Sequence, residues 1–390
     1  MAKILILGGG FAAVTAAEML SATVGVEHEI TLVSVNRSFT FFPALVPLVF
    51  GDFQPDEIHF DMVPKLSTRR IRFIQGEVMS IDPGSRTVHI AGDDIEGEVH
   101  FDSLLIAIGR RLATERTPGF FEYAHHLLGL GPALKFKNAI ANFESGSIVV
   151  GLCPGAFLPV PVCEAALALA AKFERKIADR EVTVTAIFPQ TLERAFAGAG
   201  LFRDVESAFE QRGIKLISDF PIDHIDEDKI VSKLRPPIDY DLLMLVPPFR
   251  GQIPVERLSS PANDDGFAKV NSRMQVEGFD GIYAAGDIVS LPGPRFGYMA
   301  MRQAKVAAIN IFTEISGEEP TMEYSHKIAW ILGEKYTHPA FFHYGFWDET
   351  LEDFDEDALL GMARRIRERY GPVRPTDDRN LIPEQMTDEA

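Results

Sequence analysis

Three small residues near the start of the chain, Gly8, Gly10 and Ala13, fall at G-x-G-x-x-A spacing within "KILILGGGFAAVTAAEML". That spacing suits a dinucleotide pyrophosphate. Gly8 permits a tight turn, Gly10 lets the backbone approach phosphates, and Ala13 lets a helix pack closely on a strand. A helix opening after the glycines would offer its unpaired N–H groups to the anion. The buried strand before the motif and the small-residue helix after it supply the context that such a match needs. A second candidate is "GLCPGAFLPVPVCEAALALA", residues 151–170, again set between an apolar run and a helical segment. It holds both cysteines of the chain, Cys153 and Cys163, three prolines, and one carboxylate, Glu164. Three chemistries compete there: phosphate binding, dithiol redox chemistry and proton transfer.

Phosphate binding is the poorest fit. Gly151 and Gly155 miss the spacing, and Pro154, Pro159 and Pro161 remove backbone donors. The next strand, "VTVTAIF", runs into "PQT" with no acidic partner for a ribose. A dithiol requires the two Cα atoms to come within about 7 Å. Cys153 reads better as a small buried hydrophobe. Cys163 sits at an expected helix start, where the helix N-terminus would depress a thiol pKa and favour chemistry. Glu164 lies among Phe157, Leu158, Val160 and Val162. Burial would raise its pKa and the helix N-terminus would lower it. A raised pKa suits a proton relay, with a plain helix-dipole partner as the alternative.

Composition limits what surrounds these loops. The chain has 390 residues, 46% of them apolar and 24% charged, with a formal charge of −18. So acidic a chain lacks the basic footprint of a nucleic-acid binder. Two cysteines make no disulfide scaffold and suit a reducing compartment. No apolar run reaches the roughly 20 residues that span a bilayer. The N-terminus reads as a strand rather than a signal peptide, so a cytoplasmic location is expected. His125-His126 has no neighbours at metal spacing, and no metal is expected.

The remaining elements alternate between strands and helices. "EITLVSV" follows the first helix and ends at Ser34, with Asn36 and Arg37 beyond it, where a carboxylate commonly takes ribose hydroxyls. "RRIRFIQGEVMSID" and "RTVHIAG" read as an antiparallel meander. "HFDSLLIAIGRR" reads as a buried strand ending at Gly109, and "DGIYAAGDIVSLPG" as another ending at Gly286-Asp287. Between these last two lies a second α/β unit. The expected fold is therefore α/β, with two Rossmann-like domains, the second inserted in the first, and a C-terminal α+β segment. Boundaries are set at 1–113 and 262–317 for the first domain, 114–261 for the second, and 318–390 for the C-terminal segment with a loose tail.

Taken together, "LVSVNRSFTFFPAL", "LLIAIGRR", "IYAAGDIV" and "PRFGYMAMRQAKVAAINI" resemble the two-dinucleotide-domain flavoproteins. Within that group they are similar to the sulfide:quinone oxidoreductase branch, near flavocytochrome c sulfide dehydrogenase and type II NADH dehydrogenase. The resemblance implies bound FAD and a two-electron transfer from a small-molecule reductant to a quinone-like acceptor. It implies that Gly8, Gly10, Phe11, Ala12 and Ala13 line the pyrophosphate, and that Ser34, Asn36 and Arg37 line the ribose. Pro43, Val78, Ala107, Gly109, Gly286, Asp287, Arg295 and Gly297 would complete the cofactor site, and Glu164 matches a glutamate of the family as a catalytic candidate. Cys163 is the second candidate from its helix-start position alone, where the family usually has an aromatic residue. Peripheral contact with the inner face of a membrane and a homodimer are compatible with the same resemblance. One departure is sharp. The two redox cysteines of the branch fall on Leu158 and on Ile328 in "SHKIAWILGEK", so sulfide chemistry is not expected. Two alternatives stay open: an NAD(P)H dehydrogenase (quinone)-type flavoprotein, and a non-catalytic flavin-binding interaction protein.

Overall fold

The computed structural model describes residues 1–332 apart from 93–94 and 259–261, together with the backbone of 336–341. Residues 342–390, including the aromatics around His343 and the arginine-rich stretch 364–369, lie outside the described residues.

In chain order, β1 (Lys3–Leu7) leads into α1 (Phe11–Thr23), and β2 (Glu29–Ser34), β3 (Ile71–Gln75) and β4 (Ser103–Ile106) follow. A second block holds β5 (Gly146–Leu152), α2 (Val160–Lys172), β6 (Val182–Ile187), β7 (Lys215–Ile217) and β8 (Leu242–Val246). Last come β9 (Ile282–Ala284) and α3 (Gly297–Ile315). The first sheet has the order β9–β4–β1–β2–β3 and is parallel throughout. The second, β7–β6–β5–β8, is parallel as well. A strand from near residue 282 thus completes a sheet begun at residue 3, while every strand of the second sheet lies in between. This is the α/β insertion topology read from the sequence.

The strands are continuous apolar runs because helices cover both faces of such sheets. Ile4, Leu5, Ile6 and Leu7 of β1 and Leu104, Leu105 and Ile106 of β4 are buried. Each contributes about 1.5–3 kcal/mol through burial. Helices α1 and α3 pack against one another along alanines: Ala13, Ala16 and Ala17 on one, Ala304, Ala307 and Ala308 on the other, all buried. Among the described residues, no helix is long and apolar enough to cross a membrane.

The expected meander is partly corrected. Ile71–Gln75 joins the parallel sheet as its edge strand β3 instead of opening the meander. The Gly76 N–H then donates to the Ser34 carbonyl at 3.1 Å, and the chain breaks away. The antiparallel sheet proper is Glu77–Asp82, Thr87–Ala91 and Glu96–His100. A short antiparallel pair, Arg111–Leu112 with Phe249–Arg250, ties the ends of the two blocks together.

Candidate functional site

In both sheets the strand order reverses around one strand, β1 in the first and β5 in the second, and ligands of open α/β sheets bind beyond the carboxyl ends of strands at such switch points. Beyond β1 the chain turns at Gly8, whose φ of +119° and close approach to the Ala107 carbonyl leave no room for a Cβ. The Gly8 N–H donates to Val33 at 2.7 Å, which fixes the turn. Gly10 is the N-cap of α1, and a Cβ there would meet nothing within 4 Å. Among the described residues no side chain caps the helix, and no acidic residue stands in its first turn. This N-terminus carries partial positive charge and opens on free space.

Several expected residues gather at this edge. Ala12 and Ala13 are buried in the first turn of α1. Ser34 ends β2, where its Oγ accepts the Asn36 N–H at 3.3 Å. Ala107 and Gly109 follow β4, and Gly286 and Asp287 follow β9. The Gly286 N–H donates to Gln303 of α3 at 2.7 Å in a buried contact. Gly297 opens α3, and its missing side chain seats the Phe11 ring, which would lie 3.0 Å from a Cβ. The N-termini of α1 and α3 therefore meet through Phe11. The same ring lies edge-on to Phe39 at 4.9 Å and Phe41 at 5.8 Å.

Others are placed elsewhere. Exposed Arg37 is paired with Asp61 at 3.1 Å, Pro43 is exposed on a short turn, and half-buried Val78 sits on the meander. Arg295 does not present its charge freely. Its guanidinium donates to the Val289 carbonyl and stacks 4.3 Å from the Phe267 ring centre. It lines a concavity with Gly286, Asp287, Phe296, Met299 and Gln303.

Cys163 requires a correction. It is fully buried, and burial together with the charge of Glu164 pushes its pKa well above the ordinary thiol value. The depression expected from the helix N-terminus is outweighed, because Cys163 faces the apolar core instead of solvent. Cys153 is also buried, in a separate cluster, and burial pushes its pKa up to about 12 despite a hydrogen bond from Thr117. Both thiols are free. Glu164 is half-buried and is the fifth residue of α2, beyond the first turn, so it is not a helix-opening carboxylate.

Sequence reasoning missed Arg110, Gln303 and His326. Arg110 pairs with Asp287, the carboxylate that the resemblance implies for the cofactor. Buried His326 bonds the Pro292 carbonyl at 3.0 Å, and burial lowers its pKa to about 4. The doublet "GRR" after a buried strand was a visible signal for Arg110, and a lone amide on an alanine-rich helix was one for Gln303.

Comparison with known proteins follows the same lines. The pattern of the pyridine nucleotide-disulphide oxidoreductase family matches residues 2–308. The chain is 27% identical over 343 residues to a sulfide-quinone reductase of Aquifex aeolicus, covering 81% of this chain and 77% of that protein. It is 27% identical over 300 residues to the demethylphylloquinone reductase NdbB of Synechocystis, covering 73% of this chain and 71% of the other. The X-ray structure of the Aquifex aeolicus sulfide:quinone oxidoreductase superposes with a TM-score of 0.75 at 25% identity, over 81% of this chain and 78% of that one.

Proposed function

The chain belongs to the pyridine nucleotide-disulphide oxidoreductase family, and on that footing we propose that it is an FAD-dependent enzyme passing two electrons from a small reductant to a quinone-like acceptor. The observation that carries this reading is the undefended N-terminus of α1 beneath open space at Gly10. An uncapped helix start at a switch point is an anion site, and a pyrophosphate is an anion of the right kind. Gly8, Gly10, Ala12 and Ala13 would hold the pyrophosphate, with Ser34 and Asn36 at the ribose. Ala107, Gly109, Gly286, Asp287 and Gly297 would hold the flavin end. Bound FAD supplies reversible two-electron chemistry, while the protein supplies orientation and charge.

Sulfide as the donor finds no support in the side chains. Sulfide oxidation through the protein needs a thiolate, and both thiols here are sealed in the core with raised pKa values. Leu158 and Ile328, the positions on which the resemblance places redox cysteines, are buried hydrocarbons. The two names among the relatives share a quinone acceptor, which is the part of the activity we carry over. Reduction of a quinone consumes two protons. Half-buried Glu164, in the helix after the second loop, is our candidate to pass them on. An acceptor of this type is apolar, which is compatible with peripheral contact with a membrane surface. NAD(P)H remains the alternative donor.

The test uses the purified full-length protein. Oxidised-flavin absorbance should co-purify or return on adding FAD. Anaerobic mixing with sulfide, NADH, NADPH and a quinol identifies the donor, and a soluble quinone should reoxidise the reduced protein. Protein that never retains FAD would end the reading. Bleaching by sulfide at a catalytic rate would overturn the exclusion of sulfide.

A further inference from the structure

Arg110 follows Gly109 at the end of β4 and reaches across to both blocks of the fold. Its guanidinium is ion-paired with Asp287 after β9 and lies 4.0 Å from the ring centre of Phe249 in the second block. Among the described residues, its buried Nε has no hydrogen-bond partner. A second guanidinium, Arg295, is close enough to help burial depress Arg110 to about 9, and Arg295 itself falls to about 10 through burial. Both stay protonated at neutral pH.

Two partly buried cations are therefore set against one carboxylate. Among the described residues, Asp287 is the only carboxylate ion-paired to either of them. The partial positive charge at the start of α3 is added two residues after Arg295. Charge withdrawn from water is costly unless an opposite charge compensates it. In a chain of net charge −18, so local a positive excess is not a reflection of the whole surface. It complements an anionic ligand, beside the concavity formed by Gly286, Asp287 and Phe296.

We propose that Arg110 is a cofactor-binding cation that holds the anionic reduced flavin more tightly than the neutral oxidised one, with Asp287 as the carboxylate that moderates it. The proposal rests on the FAD reading and adds to it a residue and a direction of effect. Removing the positive charge should disfavour reduction. Removing the carboxylate should leave Arg110 unneutralised and favour reduction.

The experiment compares wild type with Arg110→Gln, Arg110→Lys and Asp287→Asn, each as full-length protein reconstituted with FAD. The readouts are flavin retained after desalting and the midpoint potential by dye equilibration. Arg110→Gln should weaken binding of reduced relative to oxidised flavin about tenfold, a fall of about 30 mV for a two-electron couple. Arg110→Lys should recover most of that shift, and Asp287→Asn should move the potential upward. An unchanged potential in Arg110→Gln, or a downward shift in Asp287→Asn, overturns the proposal. If Arg110→Gln does not fold, the sign of the Asp287→Asn shift decides. Failure of the wild type to retain FAD strikes the flavin reading itself, and the two failures are thereby distinguished.

Discussion

The two parallel sheets offer the same geometric opportunity at β1–α1 and at β5–α2, and their loops treat it in opposite ways. After β1, three glycines join strand to helix, and the space above Gly10 is open. After β5, seven residues, 153–159, intervene before the helix, and four of them, Cys153, Ala156, Leu158 and Pro159, are buried. The second helix start also spends its own donors. Pro161 has no N–H, while Val162 and Cys163 donate to the Pro159 carbonyl at 3.0 and 3.1 Å. An anion arriving there would find one donor missing and the next two N–H groups already engaged. The fold provides switch points twice, and loop chemistry decides which can receive a phosphate.

The largest effect that sharpens this contrast is expected at Gly10. Its φ of −90° and ψ of −169° are ordinary for any residue, so Gly10→Val should fold with little change in denaturant midpoint. The valine side chain would nevertheless occupy the open space over α1. Flavin retention after desalting should fall at least about 100-fold, given that each 1.4 kcal/mol of lost binding is tenfold. A Gly10→Val protein that keeps its flavin would mean that the phosphates lie elsewhere, and the comparison would collapse. Next comes Glu164→Gln, which should retain flavin yet lower quinone-dependent turnover by about 100-fold, the lower range for losing a positioned proton donor or acceptor. Stopped-flow reduction by the donor, followed separately from reoxidation by quinone, checks this. A loss confined to the reductive half would remove Glu164 from the acceptor side.

The sequence made the strands and the first loop legible because their signals are local. A run such as "KILIL" is buried on both faces, and the glycine spacing after it has few uses. The order of blocks was legible too, since "IYAAGD" repeats at the end of the chain the strand-then-glycine pattern of its start. What stayed hidden depends on neighbours far apart in sequence. Arg110 and Asp287 are 177 residues apart and meet only because β4 and β9 pair. The fate of Cys163 was likewise a competition between two effects of opposite sign. A helix N-terminus lowers a thiol pKa, full desolvation raises it, and only the packing reveals which dominates. The place of β3 in the parallel sheet turned on its pairing with β2 along Ile30–Ser34, which no periodicity could announce.

The thiols of the second loop give a further way to test its closed character. Native protein should resist alkylation at pH 8 at both Cys153 and Cys163, with a labelling rate at least about 100-fold slower than in the unfolded chain. Their raised folded pKa values also fix the sign of a pH effect. The contribution is fully present below the unfolded value of 9.0 and is lost as pH rises from there toward the folded value, about 12 for Cys153. For Cys153 stability should fall by up to about 1.4 kcal/mol per pH unit between 9.0 and about 12, and Cys163 should add a fall of the same sign. Cys163→Ala should remove one thiol's share of that slope in denaturant titrations. Rapid labelling of native Cys163 would show that the loop opens and would restore a chemical role for it.

The smallest effect is expected at Gly155, the residue in the second loop whose counterpart in spirit is Gly8. Both adopt positive φ, +79° at Gly155 and +119° at Gly8. At Gly8 a Cβ would run into the Ala107 carbonyl, whereas at Gly155 it would lie 3.7 Å from Pro248, an ordinary contact. Gly155→Ala therefore bears only the backbone cost of a left-handed residue, about 1–2 kcal/mol, and Gly8→Ala bears that cost and a steric one. In paired urea titrations Gly155→Ala should lose that small amount and keep its flavin. Loss of flavin from Gly155→Ala would place the second loop against the cofactor phosphates, and the difference between the two sheet ends would no longer explain where the anion binds.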